Sequence, residues 1–204
     1  VKVFLDKRIA RVVKLKGKGD VHMTLNEWFT KGLAERTYVH NMEKNRENLL
    51  TVYNQYAIHQ KEKELLQKLQ KKKLRALVIT ADWCGDAMVN VPIFMRIANE
   101  ALIDARYFIR DEHLDLMDQY LTNGTARSIP IIVIIDQDGK EVGKWGPRSA
   151  EAQRFVDEKK PDKDAPDFEE AFKVFAKEAA HHYTTDRYLW KDIEKEIVEV
   201  LAKI

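Results

Sequence analysis

Cys84 is the only cysteine among 204 residues, and its neighbours make it a candidate for chemistry. It follows the short apolar run Leu74–Thr80. It opens a segment, Cys84–Asn99, in which Met88, Val91, Phe94, Met95 and Ile97 recur at helical spacing. A thiol placed where a buried strand ends and a helix begins lies in the field of unsatisfied backbone N–H groups, which stabilises thiolate. The spacing therefore predicts an exposed, functional cysteine, more acidic than a free one. The alternative is the commoner fate of cysteine, a small buried hydrophobe. Asp86 carries a charge that opposes thiolate formation, or is simply a favourable residue in a first helical turn. Trp83 offers an apolar contact surface, Gly85 lets other backbone approach, and Asp82 shapes the loop between them.

A second cluster, Arg127-Ser128-Ile129-Pro130, directly precedes the apolar run Ile131–Ile135. A cis peptide is a proline speciality, so Pro130 is a candidate for one, the alternative being an ordinary trans proline that starts a strand. Other candidates are weaker. His181-His182 lacks the spaced ligands of a metal site, His113 reads as a helix amino end, and Asp136–Asp138 lacks the rest of a calcium loop. No metal is expected, and no phosphate-binding loop or dinucleotide fingerprint is present.

The elements that must position these residues are legible from periodicity. Thr24–Lys73 reads as helical, beginning at a capping box, Thr24-Leu25-Asn26-Glu27. Trp28, Phe29 and Leu33 share a face, and Gly32 is a candidate helix end. Strands are expected at Leu74–Thr80, Ala105–Arg110, Ile131–Ile135 and Glu141–Trp145, the last two joined by a turn at Asp136–Gly139 and hence antiparallel. A helix through Leu114, Met117 and Leu121 should end near Asn123-Gly124. Another runs from Ser149 to Glu158. Two amphipathic helices follow, Asp167–His182 with Phe168, Ala171, Phe172 and Phe175 inward, and Asp186–Lys203 with Tyr188, Leu189, Ile193, Ile197, Val200 and Leu201 inward. The order implies an α/β fold, a mixed sheet with helices on both faces and extra helices at both ends. The expected divisions are 1–22, 23–73, 74–158 and 159–204.

Trp83-Cys84-Gly85-Asp86-Ala87 resembles the Trp-Cys-Gly-Pro-Cys active site of the thioredoxin family. Pro92 stands eight residues after the cysteine, where that family has a kinking proline. Ser128-Ile129-Pro130 resembles its cis-proline loop, which faces the active-site cysteine and would turn the Ser128 backbone toward Cys84, and the Asp138-Gly139 turn and Gly143 or Gly146 fit its last hairpin. The resemblance covers Leu74–Glu158 and implies a thioredoxin-like fold, with Cys84 as the catalytic thiol. It implies Trp83, Gly85, Asp86, Ser128, Ile129 and Pro130 as the residues that bind an extended peptide. The departures are chemical. Ala87 replaces the resolving cysteine, Asp86 replaces the proline, and the family's buried acid falls at Val78.

Two classes of function stay open. One is a monothiol thiol-disulfide oxidoreductase, in which Cys84 attacks a disulfide and a low-molecular-weight thiol, its only co-substrate, resolves the adduct. The other is a non-catalytic scaffold that binds a peptide or protein, with Cys84 incidental or a redox sensor. The expected partner is a disulfide-containing peptide or a small thiol. A net charge of +2 is too small to point to nucleic acid, and the sequence has no apolar run long enough to span a bilayer. A single cysteine fits a reducing compartment, and the cytoplasm is expected. Residues 1–22 carry a local charge of +5, leaving −3 on the rest. Lys18–His22 back-translates into a ribosome-binding sequence before the codon of Met23, which would mark a bacterial source. The segment is therefore read as upstream or cloning-derived, the rival being a native basic arm.

Overall fold

The computed structural model describes residues 23–204. The basic segment 1–22, and the reading of its origin, lie outside the described residues. Four strands form one mixed sheet: β1 (Arg75–Thr80), β2 (Asp104–Ile109), β3 (Ile131–Ile135) and β4 (Glu141–Trp145), in the order β2-β1-β3-β4. β1 and β2 run parallel, and the crossover such a pair requires is α5 (Ala87–Ala101). β3 is antiparallel to both β1 and β4. The Asp136 carboxylate accepts from the N–H groups of Asp138 and Lys140, at 2.9 and 3.0 Å, and Gly139 adopts φ 82°. The Asp136 carboxylate thus serves the geometry of this turn. Every residue of β3, and all of β1 after Arg75, is buried. A sheet covered on both faces needs such continuous apolar runs.

On one face lie Arg75, Leu77 and Ile79, with Arg106 and Phe108 beside them. The capping box predicted at Thr24 forms and starts α1 (Leu25–Phe29), which covers this face. The Phe29 ring packs 5.0 Å from the guanidinium groups of both Arg75 and Arg106, and Trp28 meets Phe108 edge-on. On the other face, α2 (Glu35–Asn41) places Tyr38 flat on Tyr107, with its hydroxyl 3.2 Å from Thr80 Oγ1. α5 packs there against α3 (Arg46–Gln55), α4 (Gln60–Leu69) and α9 (Arg187–Leu201). A side chain on Gly143 would come within 2.9 Å of Val200, so the lack of one lets α9 lie close to β4.

Several expectations are corrected. The helix expected to begin at Cys84 begins at Ala87, with Asp86 as its cap residue. The helix expected through Leu121 is α6 (Leu114–Met117) followed by one 3-10 turn. Gly32 does not end α1. It lies beyond the helix, where a Cβ would come within 2.6 Å of Arg106 Cβ and of the Phe108 ring. Leu33 then exchanges two backbone hydrogen bonds of 2.9 Å with Tyr107 at the outer edge of β2. Tyr188, expected inward, is 85% exposed. It sits in the first turn of α9, where the Asp186 carboxylate caps the N–H groups of Tyr188 and Leu189, and Trp190 is buried instead. α7 (Ala150–Lys159) starts from a Ser149 cap as expected. In α8 (Phe168–Thr185), only Ala179 and Tyr183 are buried. The expected inward stripe of Phe168, Ala171, Phe172 and Phe175 is half-buried at most, because much of it borders a surface cleft.

Candidate functional site

Cys84 lies in the turn between β1 and α5, two residues before the cap. Its Sγ donates to the Ile129 carbonyl at 3.3 Å, and the Ile129–Pro130 peptide is cis. Ile129, Pro130 and Cys84 are therefore brought together as the sequence reading requires. Gly146, after β4, closes the same corner. Its φ is 121°, and a Cβ there would come within 2.2 Å of the Pro130 carbonyl oxygen. Of the two glycines considered, Gly146 is the one that faces the proline loop. Ser128 is half-buried one residue earlier.

Asp86 is buried and doubly held. The Arg148 Nη2 pairs with its Oδ2 at 2.7 Å, and the Tyr183 hydroxyl donates to its Oδ1 at 2.9 Å. These two partners were not found in the sequence. Tyr183 stands 97 residues away on α8, and no local pattern points from one to the other. Asp82 ties the loop to the α2–α3 connection, its carboxylate accepting from Glu43 N–H and Lys44 N–H at 2.8 and 2.9 Å. Trp83 is 42% exposed. Its indole donates to Asp111 Oδ2 at 3.0 Å, and the Arg110 guanidinium lies 4.4 Å over its ring. A Cβ on Gly85 would meet only Met88, at ordinary contact distance, so the close backbone approach expected there is absent.

Cys84 is only 8% exposed, and this overturns the expectation of an exposed, acidic thiol. Burial pushes its pKa up to about 11, and the Asp86 charge adds to the rise. The backbone N–H groups of Ala87 and Asp86 and the Arg148 charge pull the other way and do not prevail. Two N–H groups at the helix start do act on the sulfur, but removing it from water costs the thiolate more than they return. The opposition expected from Asp86 holds, although Arg148 offsets part of its charge.

Beside the thiol loop opens a cleft of about 250 Å³, lined among others by Trp83, Asp86, Met88, Arg148, Phe172 and Tyr183. Its far wall is α8. Among the described residues no group of three or more His, Cys, Asp or Glu could hold a metal ion. His182 instead stacks on Phe155 at 4.3 Å. His113 caps α6, and its Nδ1 lies 3.0 Å from the Ile109 carbonyl. Among the described residues, no helix is long and apolar enough to cross a membrane.

A family model described as thioredoxin matches residues 32–160. The match starts well before Leu74, so it takes in α2–α4, which the sequence reading left outside the resemblance. No curated protein matches the chain. The solved structures that share its fold include two of low identity. A protein of unknown function from Pseudomonas aeruginosa aligns with a TM-score of 0.61 at 16% identity, covering 88% of this chain and 97% of its own. An HIV epitope scaffold aligns with a TM-score of 0.62 at 14% identity, covering 89% and 99%.

Proposed function

Because the chain belongs to the thioredoxin family, we propose that it acts as a single-thiol member, binding a disulfide-bearing peptide along Ser128-Ile129-Pro130 and forming a mixed disulfide at Cys84. The observation that carries this reading is the bond from Cys84 Sγ to the Ile129 carbonyl. An extended peptide that pairs its own N–H with that carbonyl, in the manner of strand addition, displaces the thiol as donor and brings its disulfide to the sulfur.

The chemistry balances without a second protein cysteine. Cys84 loses its proton and the thiolate attacks one sulfur of RS–SR′. The Cys84–SR bond forms, the S–S bond breaks, and R′S⁻ leaves and takes up a proton. A small thiol, as thiolate, then attacks the R sulfur, releases Cys84 and departs as the new disulfide. With Ala87 where a resolving cysteine would stand, that external thiol is a required co-substrate. The reading assigns the protein to a thiol-rich compartment such as the cytoplasm.

A second reading, a peptide-binding scaffold with a silent or slowly sensing Cys84, is favoured by one observation, the burial that raises the thiol to about 11. Mass spectrometry after challenge with a peptide disulfide separates the two. Under the first reading an adduct forms, excess small thiol removes it, and Cys84→Ser abolishes both steps. An accessible Cys84 that never forms the adduct ends that reading. Ala87→Cys should add partial dithiol reduction of an insulin disulfide, partial because Val78 supplies no acid. Activity equal to wild type in that assay would show that Ala87 is not the resolving position.

A further inference from the structure

We infer that the cleft between the thiol loop and α8 is a side-chain subsite, selecting peptides that carry a large apolar residue beside their cysteine within an acidic stretch. The inference deepens the proposed function and rests on its reading of Cys84 as the peptide-facing thiol.

Size and lining indicate the occupant. At about 250 Å³ the cleft lies below the roughly 300–1,000 Å³ of drug-sized ligand sites, which suits one side chain. Trp83, Met88, Phe172 and Phe175 give it apolar walls. Among the described residues the exposed large aromatics are Trp83, Phe172 and Tyr188, and two of these three line this one cleft. Covering them with an apolar side chain removes that surface from water.

Charge supplies the second criterion. The charged side chains of the lining are Asp86, Arg148 and Lys160. Asp86 and Arg148 compensate each other. Lys160, just after α7, has no ion-pair partner among the described residues, so the cleft presents one uncompensated positive charge and favours an acidic neighbour on the peptide. The wall carrying Phe172 and Phe175 belongs to α8, beyond the family match at 160.

Binding of cysteine-free peptides reads the subsite without thiol chemistry. Three fluorescein-labelled peptides serve: Glu-Glu-Phe-Ser-Phe-Glu-Glu, Glu-Glu-Ala-Ser-Ala-Glu-Glu and Lys-Lys-Phe-Ser-Phe-Lys-Lys, symmetric so that chain direction is immaterial. By anisotropy the full-length protein should bind the first at least about tenfold more tightly than the alanine peptide, the scale of burying one aromatic side chain, and about two- to fivefold more tightly than the lysine peptide, the scale of one exposed ion pair. Phe172→Ala, at a position already 38% exposed and so tolerant of truncation, should reduce the first to the level of the second. Lys160→Glu should reverse the preference for acid over lysine. Equal binding of the phenylalanine and alanine peptides overturns the subsite. So does a preference that survives Phe172→Ala, or no saturable binding up to about 1 mM, the weak limit for specific recognition.

Adduct formation with cystamine, followed by mass spectrometry in wild type and Phe172→Ala, tests the thiol separately. Adducts in both without peptide discrimination remove the subsite and leave the single-thiol reading. Discrimination without any adduct removes the single-thiol reading and leaves the subsite.

Discussion

At the scale of single residues, the site is a contest over one proton. Burial and Asp86 hold the Cys84 thiol neutral, and two backbone N–H groups and Arg148 fail to release it. Between an ordinary thiol and one at about 11, the thiolate fraction at neutral pH falls about a hundredfold. Iodoacetamide should therefore modify native Cys84 about a hundredfold more slowly than the denatured chain at pH 7. The rate should keep rising with pH up to about 11. A plateau near pH 8 would mean that the thiol is not held neutral. Asp86→Asn removes the opposing charge and frees Arg148 to act on the sulfur, so alkylation at pH 7 should speed up by roughly tenfold. An unchanged rate would show that the Asp86 charge does not reach the thiol. Arg148→Met should do the reverse, slowing alkylation, and should cost about 3–5 kcal/mol in urea unfolding because it strands a buried carboxylate. Stability within about 0.5 kcal/mol of wild type would deny that this pair is buried and coupled.

At the scale of elements, close approach decides more than propensity does. Gly32 touches Arg106 and Phe108 so tightly that Gly32→Val must push α1 and β2 apart. A loss of about 1–3 kcal/mol is expected for such overpacking, readable as a lower urea midpoint with unchanged slope. A wild-type midpoint would place Gly32 in open space. The same contrast explains what the sequence revealed. The four strands, the hairpin turn and the α1 capping box were legible because each is written in adjacent residues, as alternation, apolar runs or a cap at fixed spacing. Cys84, Ile129 and Pro130 were legible as one site because two short motifs, each beside an apolar run, resemble the paired loops of the thioredoxin family. Arg148 and Tyr183 were not, since Arg148 reaches Asp86 from the loop between β4 and α7 and Tyr183 reaches it from α8, contacts that only tertiary packing makes. The thiol's acidity was misjudged because a helix start is visible in a sequence and the desolvation of one sulfur is not. α8 read as an inward stripe because an aromatic face looks alike whether it borders a core or a cleft.

At the scale of the whole molecule, the helices outside the expected core are part of it. Leu189, Trp190, Ile193, Ile197 and Leu201 of α9 are buried, and Trp190 donates to the Tyr183 carbonyl at 2.8 Å. The buried Glu194 accepts from the His59 backbone N–H at 2.8 Å and pairs with its imidazole, joining α9 to the α3–α4 connection. A chain ending at residue 166 would expose this apolar surface and release Asp86 from Tyr183. It should lose its cooperative thermal transition, monitored by near-ultraviolet circular dichroism. A truncated protein that melts cooperatively near the wild-type temperature would show that α8 and α9 are an appendage.

The bridge between Leu33 and Tyr107 bears on how copies of the molecule behave in company. The outer side of β2 is the end of a hydrogen-bonding ladder, and such an end recruits strands from other chains. Leu33 takes up both backbone groups of Tyr107 near the middle of that edge, leaving no uninterrupted row for a stranger to join. One residue thus acts as a stopper on the ladder. Loosening it, as Gly32→Val would, is expected to make a concentrated solution turn cloudy on standing well before the fold itself is lost.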